Sequence, residues 1–331
     1  MESKKSRLLG LDALRLIAAL LVICQHIQTY CGDVFVRPIS RIAVFLFFLI
    51  SGYFLYDERA DLIRNKCLKS VKKLCRIYLW AMLIYGIEAL YEAIKSGSFD
   101  VFHIGPWKLF VFFASCSSPF FPYGYHLWFL IALVESLLII AILAYKCNPY
   151  TYKNIGVICF LCVLFGITIT HKSVFVPFNM TLFIALPTII MGGVIRKTGM
   201  QVKSWLAIGL IISCSLISIY ESYFWEDKYG YSTILLSVLV FLQFIKLSEG
   251  KAINMIAKYG AKYSLGIYII HPLLIDFCMK LDDVEEWSII MNPISILVFS
   301  TILVMISINI PLKSGPVSYT HLRAHETRGN L

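Results

Sequence analysis

"LDALRLIAALLVICQH", Leu11–His26, decides how this chain is read. It sits within an apolar run over residues 8–30 whose acidic and basic side chains are Asp12, Arg15 and His26. A hydrocarbon core about 30 Å thick takes roughly 17–25 residues of helix, so the run is long enough to span. Ionisable groups inside such a helix are expensive to hold, which makes them functional candidates by default. Arg15 and His26 are eleven residues apart. At about 100° per residue they return to within roughly 20° of each other, on one face and ~16 Å apart along the axis. Ala19 and Val22 lie on the same stripe and leave room for a second helix or a ligand. The plainer reading is that Arg15 snorkels and pairs with Asp12, with His26 at the interface. Two costly groups on one stripe favour a site instead.

The rest of the chain extends this reading. Of 331 residues, 59% are hydrophobic and 15% charged, and mean hydropathy is +0.76. Soluble domains carry about 25% charge, so a soluble fold is excluded and a bilayer is the partner expected. Apolar runs fall at 8–30, 41–56, 77–94, 125–145, 154–171, 178–195, 204–220, 231–247, 263–279 and 291–312. The first is read as a retained span, without a signal-peptide cleavage site. A shorter stretch, Trp107–Ala114, reads as re-entrant or interfacial. The fold class expected is therefore all-α, a polytopic membrane protein with about ten transmembrane helices.

The net charge of +10 does not imply nucleic acid, because the basic residues lie in short runs between apolar stretches. With both termini cytoplasmic, twenty Lys and Arg fall inside and seven outside, and the acidic "LDDVEEW" loop falls outside. That bias sets the expected orientation. The longest inside loop, 57–76, holds seven basic residues within Arg59–Arg76 and reads as an amphipathic helix on the headgroups. Cys159 and Cys162 form a CxxC inside "VICFLCVLF", with no second ligand pair, so no metal site is expected. The run Val317–Arg328, "VSYTHLRAHETR", reads as translated library adaptor. The membrane domain is accordingly assigned to 1–316, with 317–331 as a non-native tail. His321 and His325 are left out of the chemistry, and the native C-terminus is expected to extend beyond the cut near Ser314.

Four motifs in order carry a family resemblance. They are Arg15 and His26 with ten residues between them; "AVFLFFLISGYFL", Ala43–Leu55; "VKKLCRIY", Val71–Tyr78; and "YSLGIYIIHPLLI", Tyr263–Ile275. Together with "YHLWFLIALVE", Tyr125–Glu135, this order resembles the acyltransferase-3 family of bacterial integral membrane O-acyltransferases. The resemblance implies an enzyme of the bacterial cytoplasmic (inner) membrane. It would move an acyl group, often acetyl, from a thioester such as acyl-CoA to a hydroxyl of an envelope glycan or lipid-linked sugar.

On that reading His26 is the general base and Arg15 steadies negative charge on the donor or orients the site. Lys72, Lys73 and Arg76 would dock the donor's phosphates at the cytoplasmic mouth of the third span. Lysines at the first two of those positions keep charge without bidentate geometry. His126, Trp128, Glu135 and His271 would line the site. Glu135 falls nine residues after His126, on the opposite side of a helix, and sits one or two positions later than the family's acidic residue. His271 precedes Pro272, which frees a backbone carbonyl beside a polar group. Ser51-Gly52-Tyr53 has no base placed to make Ser51 a nucleophile, and Gly52 reads as a close-packing residue. No tightly bound cofactor is expected, acyl-CoA being a co-substrate. The competing class is a transporter or exporter of a small molecule or glycan, which intramembrane Arg, His and Glu would serve equally well.

Overall fold

The computed structural model describes residues 8–27, 35–120, 123–152, 154–173, 175–225, 228–247, 250–281 and 292–309. The tail after 309 and the "LDDVEEW" loop beyond Leu281 lie outside the described residues. Those described form helices and loops, with no strand. The helices are α1 Leu9–His26, α2 Arg37–Ser40, α3 Ile42–Leu55, α4 Ala60–Ser96, α5 Pro106–Ser115 and α6 Trp128–Lys146. They continue as α7 Ile155–His171, α8 Leu186–Thr198, α9 Ser204–Ser222, α10 Ser232–Ile245, α11 Lys251–Leu281 and α12 Pro293–Asn309. A π-helical segment, Met180–Ala185, leads into α8.

Each of the ten apolar runs is occupied by one of these helices, and α5 covers the short eleventh stretch. Among the described residues, six helical stretches are long and apolar enough to cross a bilayer, and three more are shorter apolar helices. The chain is a polytopic membrane protein. Its surface carries what lipid requires: Leu79, Leu83, Ile87, Tyr91 and Ile94 make an exposed stripe along α4. Along α9 only Ala207, Cys214 and Ser218 are buried. Exposed apolar area on this scale has no place in water.

The region 57–76 differs from expectation. It is not a separate helix lying on the headgroups, because α4 runs unbroken for 37 residues. At 1.5 Å per residue α4 is about 55 Å long, well beyond the hydrocarbon thickness. The basic four turns are thus a rigid extension of the third span. The corner before α4 is tied down by Lys66, which donates to the Asp57 carboxylate at 3.0 Å and to the Tyr56 carbonyl at 3.3 Å. Partial burial alone would raise the Asp57 carboxyl; hydrogen bonds from Lys66 and the Arg59 amide outweigh it and hold the group below its usual value.

The chain divides into two compact units, Met1–Ala43 with Gln243–Leu331, and Val44–Leu242. In the first, α11 packs along α1, and α12 packs on both. Gly260 lets α11 approach closely, since a β-carbon there would strike the Asp12 carbonyl. In the second unit α4 packs on α6, and α7 on α8. Gly52 of α3 abuts the Ile189 carbonyl of α8, while Gly192 of α8 abuts the Leu49 carbonyl of α3. This reciprocal approach gives Gly52 the packing role expected of it.

Candidate functional site

The first unit holds Arg15, His26 and His271. Arg15 Nη1 donates to Asp12 Oδ1 at 2.8 Å, one turn away on α1, and the Arg15 side chain is only 18% exposed. The Arg15–Asp12 pairing anticipated in the plainer reading is therefore present. A guanidinium held this deep beside a carboxylate still places paired charge at one end of the stripe. His26, the last residue of α1, is half-buried at the other end, ~16 Å further along the axis.

His271 of α11 lies against His26, with ring centroids 5.3 Å apart and planes tilted by 31°. It is completely buried. Its Nδ1 lies 2.8 Å from the Tyr268 carbonyl and 3.3 Å from that of Ile267. A carbonyl only accepts, so Nδ1 carries the proton and donates. Tyr268 is the residue whose carbonyl a helical N–H at position 272 would normally fill, and Pro272 has none. His271 thus both satisfies its helix and reaches the candidate base.

The second unit holds the other residues singled out from the sequence. Lys72 and Arg76 are exposed on the basic end of α4, and Lys73 is half-buried beside them. Further along the same helix, about 20 Å beyond Lys72, Tyr85 meets His126. The Tyr85 hydroxyl and His126 Nε2 are 3.4 Å apart, both side chains buried, with rings edge to face at 5.1 Å. Trp128 opens α6 and is half-buried. Glu135 faces the π-helical segment, where Thr181 donates a short hydrogen bond to its Oε2. The Cys116 thiol donates to the same oxygen at 3.7 Å and lies 3.4 Å from the Thr181 hydroxyl.

His126 and Glu135 therefore turn to different partners, as their spacing implies: one to α4, the other to the π-helical segment. Tyr85, Thr181 and Cys116 were not singled out from the sequence. No local pattern marks them, because each meets its partner through a contact distant in the chain. Cys116 does carry a conformational mark, a left-handed backbone at φ 56°. Such strain in a non-glycine residue persists only where its surroundings hold it.

The family profile for the acyltransferase domain matches residues 8–309, nearly the whole chain. A serine/alanine racemase of Enterococcus gallinarum is 26% identical over 298 residues, covering 80% of this chain and 40% of its own length. An amino-acid racemase of Enterococcus faecalis is 23% identical over 304 residues, covering 82% of this chain and 41% of its own. The chain thus spans about two fifths of the length of these relatives. No solved structure matches. With the motif order, the helical architecture and the match over 8–309 in agreement, the chain belongs to the acyltransferase-3 family of membrane acyltransferase domains.

Proposed function

We propose that this protein transfers an acyl group, acetyl in the simplest case, from a cytoplasmic thioester such as acyl-CoA to a hydroxyl. The acceptor in this reading is an envelope glycan or lipid-linked sugar, and the setting is the bacterial cytoplasmic membrane with both chain termini inside. The observation that carries it is the contact of His26 with His271 in the helical interior, on the helix that also holds the Arg15–Asp12 pair.

A sugar hydroxyl is a weak nucleophile at neutral pH. His26 takes its proton as attack on the thioester carbonyl begins, which contributes on the order of 10²–10⁴ in rate. Arg15 steadies negative charge on the donor or holds the site in register. The basic end of α4, with Lys72, Lys73 and Arg76, attracts the donor's phosphates, and His126, Trp128 and Glu135 line the acceptor's path.

A second reading rests on the same intramembrane groups, since Arg, His and Glu within helices would serve a transporter equally well. Two relatives that share this region bear racemase names, so a region of this kind also belongs to proteins named for something other than acyl transfer. In that reading the helices carry a small molecule or glycan across the membrane unchanged. Mass analysis of envelope glycans separates the two. Esters present with the intact protein and absent with His26→Ala, at equal protein level, support transfer. Absence of esters in both strains, with export of unmodified product by the intact one, supports carriage.

A further inference from the structure

We propose that Thr181 and Cys116 are positioning residues for Glu135, and that Glu135 binds a hydroxyl of the acceptor other than the one that is acylated. The inference rests on the acyl-transfer reading above and gives Glu135 one task on the acceptor's path. Both hydrogen bonds to its carboxylate end on Oε2, one from the Thr181 hydroxyl and one from the Cys116 thiol at 3.7 Å. The two donors lie 3.4 Å from each other, so they hold that oxygen together. Oε1 has no hydrogen-bond partner among the described residues. Cys116 and Thr181 are buried whereas Glu135 is half-buried. The carboxylate is thus fixed through one oxygen, and the other is left to meet a ligand.

Three elements build this hold: Glu135 stands on α6, Thr181 on the π-helical segment and Cys116 at the end of α5. Cys116 and Phe178 both have left-handed backbones, at φ 56° and φ 60°. Between them the Phe178 amide donates to the Ala114 carbonyl at 2.5 Å, which ties the end of α5 to the approach of the π-helical segment. Such conformations persist in non-glycine residues only where the surroundings over-determine them, and they gather at ligand sites. A π-helical turn within a helical fold is found at functional sites for the same reason.

The chemistry of the free oxygen selects its ligand. A carboxylate oxygen accepts hydrogen bonds, so the partner must bring a hydrogen. The donor's thioester group has none to offer, and its phosphates carry the same sign of charge and are repelled. A hydroxyl of the acceptor does offer one, and a bond to an ionised acceptor oxygen is of the stronger kind. No covalent bond forms or breaks at Glu135. An acceptor held this way needs a second hydroxyl beside the reacting one, so a polyol such as a sugar fits and a simple alcohol gains nothing from Glu135.

Glu135→Gln keeps an oxygen for Thr181 and Cys116 but puts an NH2 in place of Oε1, which no longer accepts. Thr181→Val frees the carboxylate to turn, and Thr181→Ser restores the hold. Proteoliposomes bearing each variant are given radiolabelled acetyl-CoA and graded amounts of extracted envelope glycan, with melting of the purified protein measured alongside. Glu135→Gln is expected to melt with the unsubstituted protein, while its acceptor KM rises about tenfold at constant donor KM. Thr181→Val raises the acceptor KM about three- to tenfold, and Thr181→Ser returns it. Cys116→Ala raises it less than Thr181→Val, a thiol being the weaker donor. Thr181→Val added to Glu135→Gln raises the acceptor KM no further. A carboxylate that only packs the helices would change melting with Thr181→Val and leave acceptor KM where it was. An unchanged acceptor KM with Glu135→Gln, or with Thr181→Val, overturns the proposal while leaving the acyl-transfer reading intact. No label transferred by the unsubstituted protein overturns both.

Discussion

The Tyr85 hydroxyl lies 3.4 Å from Nε2 of His126, joining α4 to the turn that opens α6, and both side chains are buried. Removing the hydroxyl leaves the edge-to-face ring contact in place but takes a polar partner from a buried imidazole. Tyr85→Phe is expected to destabilise the protein by about 1 kcal/mol, read from melting in detergent. If His126 lines the acceptor path, acyl transfer falls several-fold with no change in donor KM. A variant that matches the unsubstituted protein in both respects removes Tyr85 and His126 from the site.

The reciprocal approach of α3 and α8 leaves no room for a β-carbon at Gly52 or Gly192, because each abuts a carbonyl of the facing helix. Gly52→Ala and Gly192→Ala should each destabilise by about 1–3 kcal/mol through forced separation of the helices. Lower yield and lower melting temperature would record it. Normal melting for both would show that the helices do not cross this closely.

The family resemblance, the helical character of the ten apolar runs and the packing role of Gly52 were all legible in the sequence. Apolar length alone locates a span, and a glycine among large side chains marks a close crossing. The Pro272 neighbour of His271 announced a freed carbonyl, and in the structure the Tyr268 carbonyl accepts a hydrogen bond from His271 Nδ1. The continuity of α4 was not legible, because composition changes sharply near Arg76 while helix formation does not. No glycine or proline lies between Ala60 and Tyr85 to stop it. The partners of Glu135 and His126 were hidden for another reason: Thr181 and Tyr85 are 46 and 41 residues away in the chain. Contacts of that kind leave no periodic trace.

Thr181 donates to Glu135 from the π-helical segment. Thr181→Val keeps the shape and removes the donor, so a loss of about 1–3 kcal/mol is expected, with Thr181→Ser restoring most of it. Equal melting for the valine and serine variants would show that the hydroxyl does not hold the carboxylate.

Orientation is testable with native side chains. Cys75 on the basic end of α4 and Cys147 just past α6 are both exposed. With the basic loops cytoplasmic, a membrane-impermeant maleimide should modify both in inside-out vesicles and neither in intact cells, by peptide mapping. Modification of either from outside reverses the proposed orientation.

Exposed Lys72 and Arg76, with Lys73 beside them, form the proposed donor mouth. Lys73→Ala with Arg76→Ala should raise the acyl-CoA KM more than the acceptor KM. The intact protein's donor KM should rise with salt more steeply than the variant's, because exposed charges are screened. Unchanged donor dependence would return these residues to a purely orienting role.

The most direct measurement is acyl transfer by the purified protein in proteoliposomes given radiolabelled acetyl-CoA and extracted envelope glycan, with His26→Gln beside the unsubstituted chain. Glutamine keeps much of the size and the hydrogen bonding of His26 but takes up no proton near neutrality. The account predicts alkali-labile label on the glycan with the intact protein and a loss on the order of 10²–10⁴ with His26→Gln at equal folded protein. Undiminished labelling by His26→Gln would contradict it.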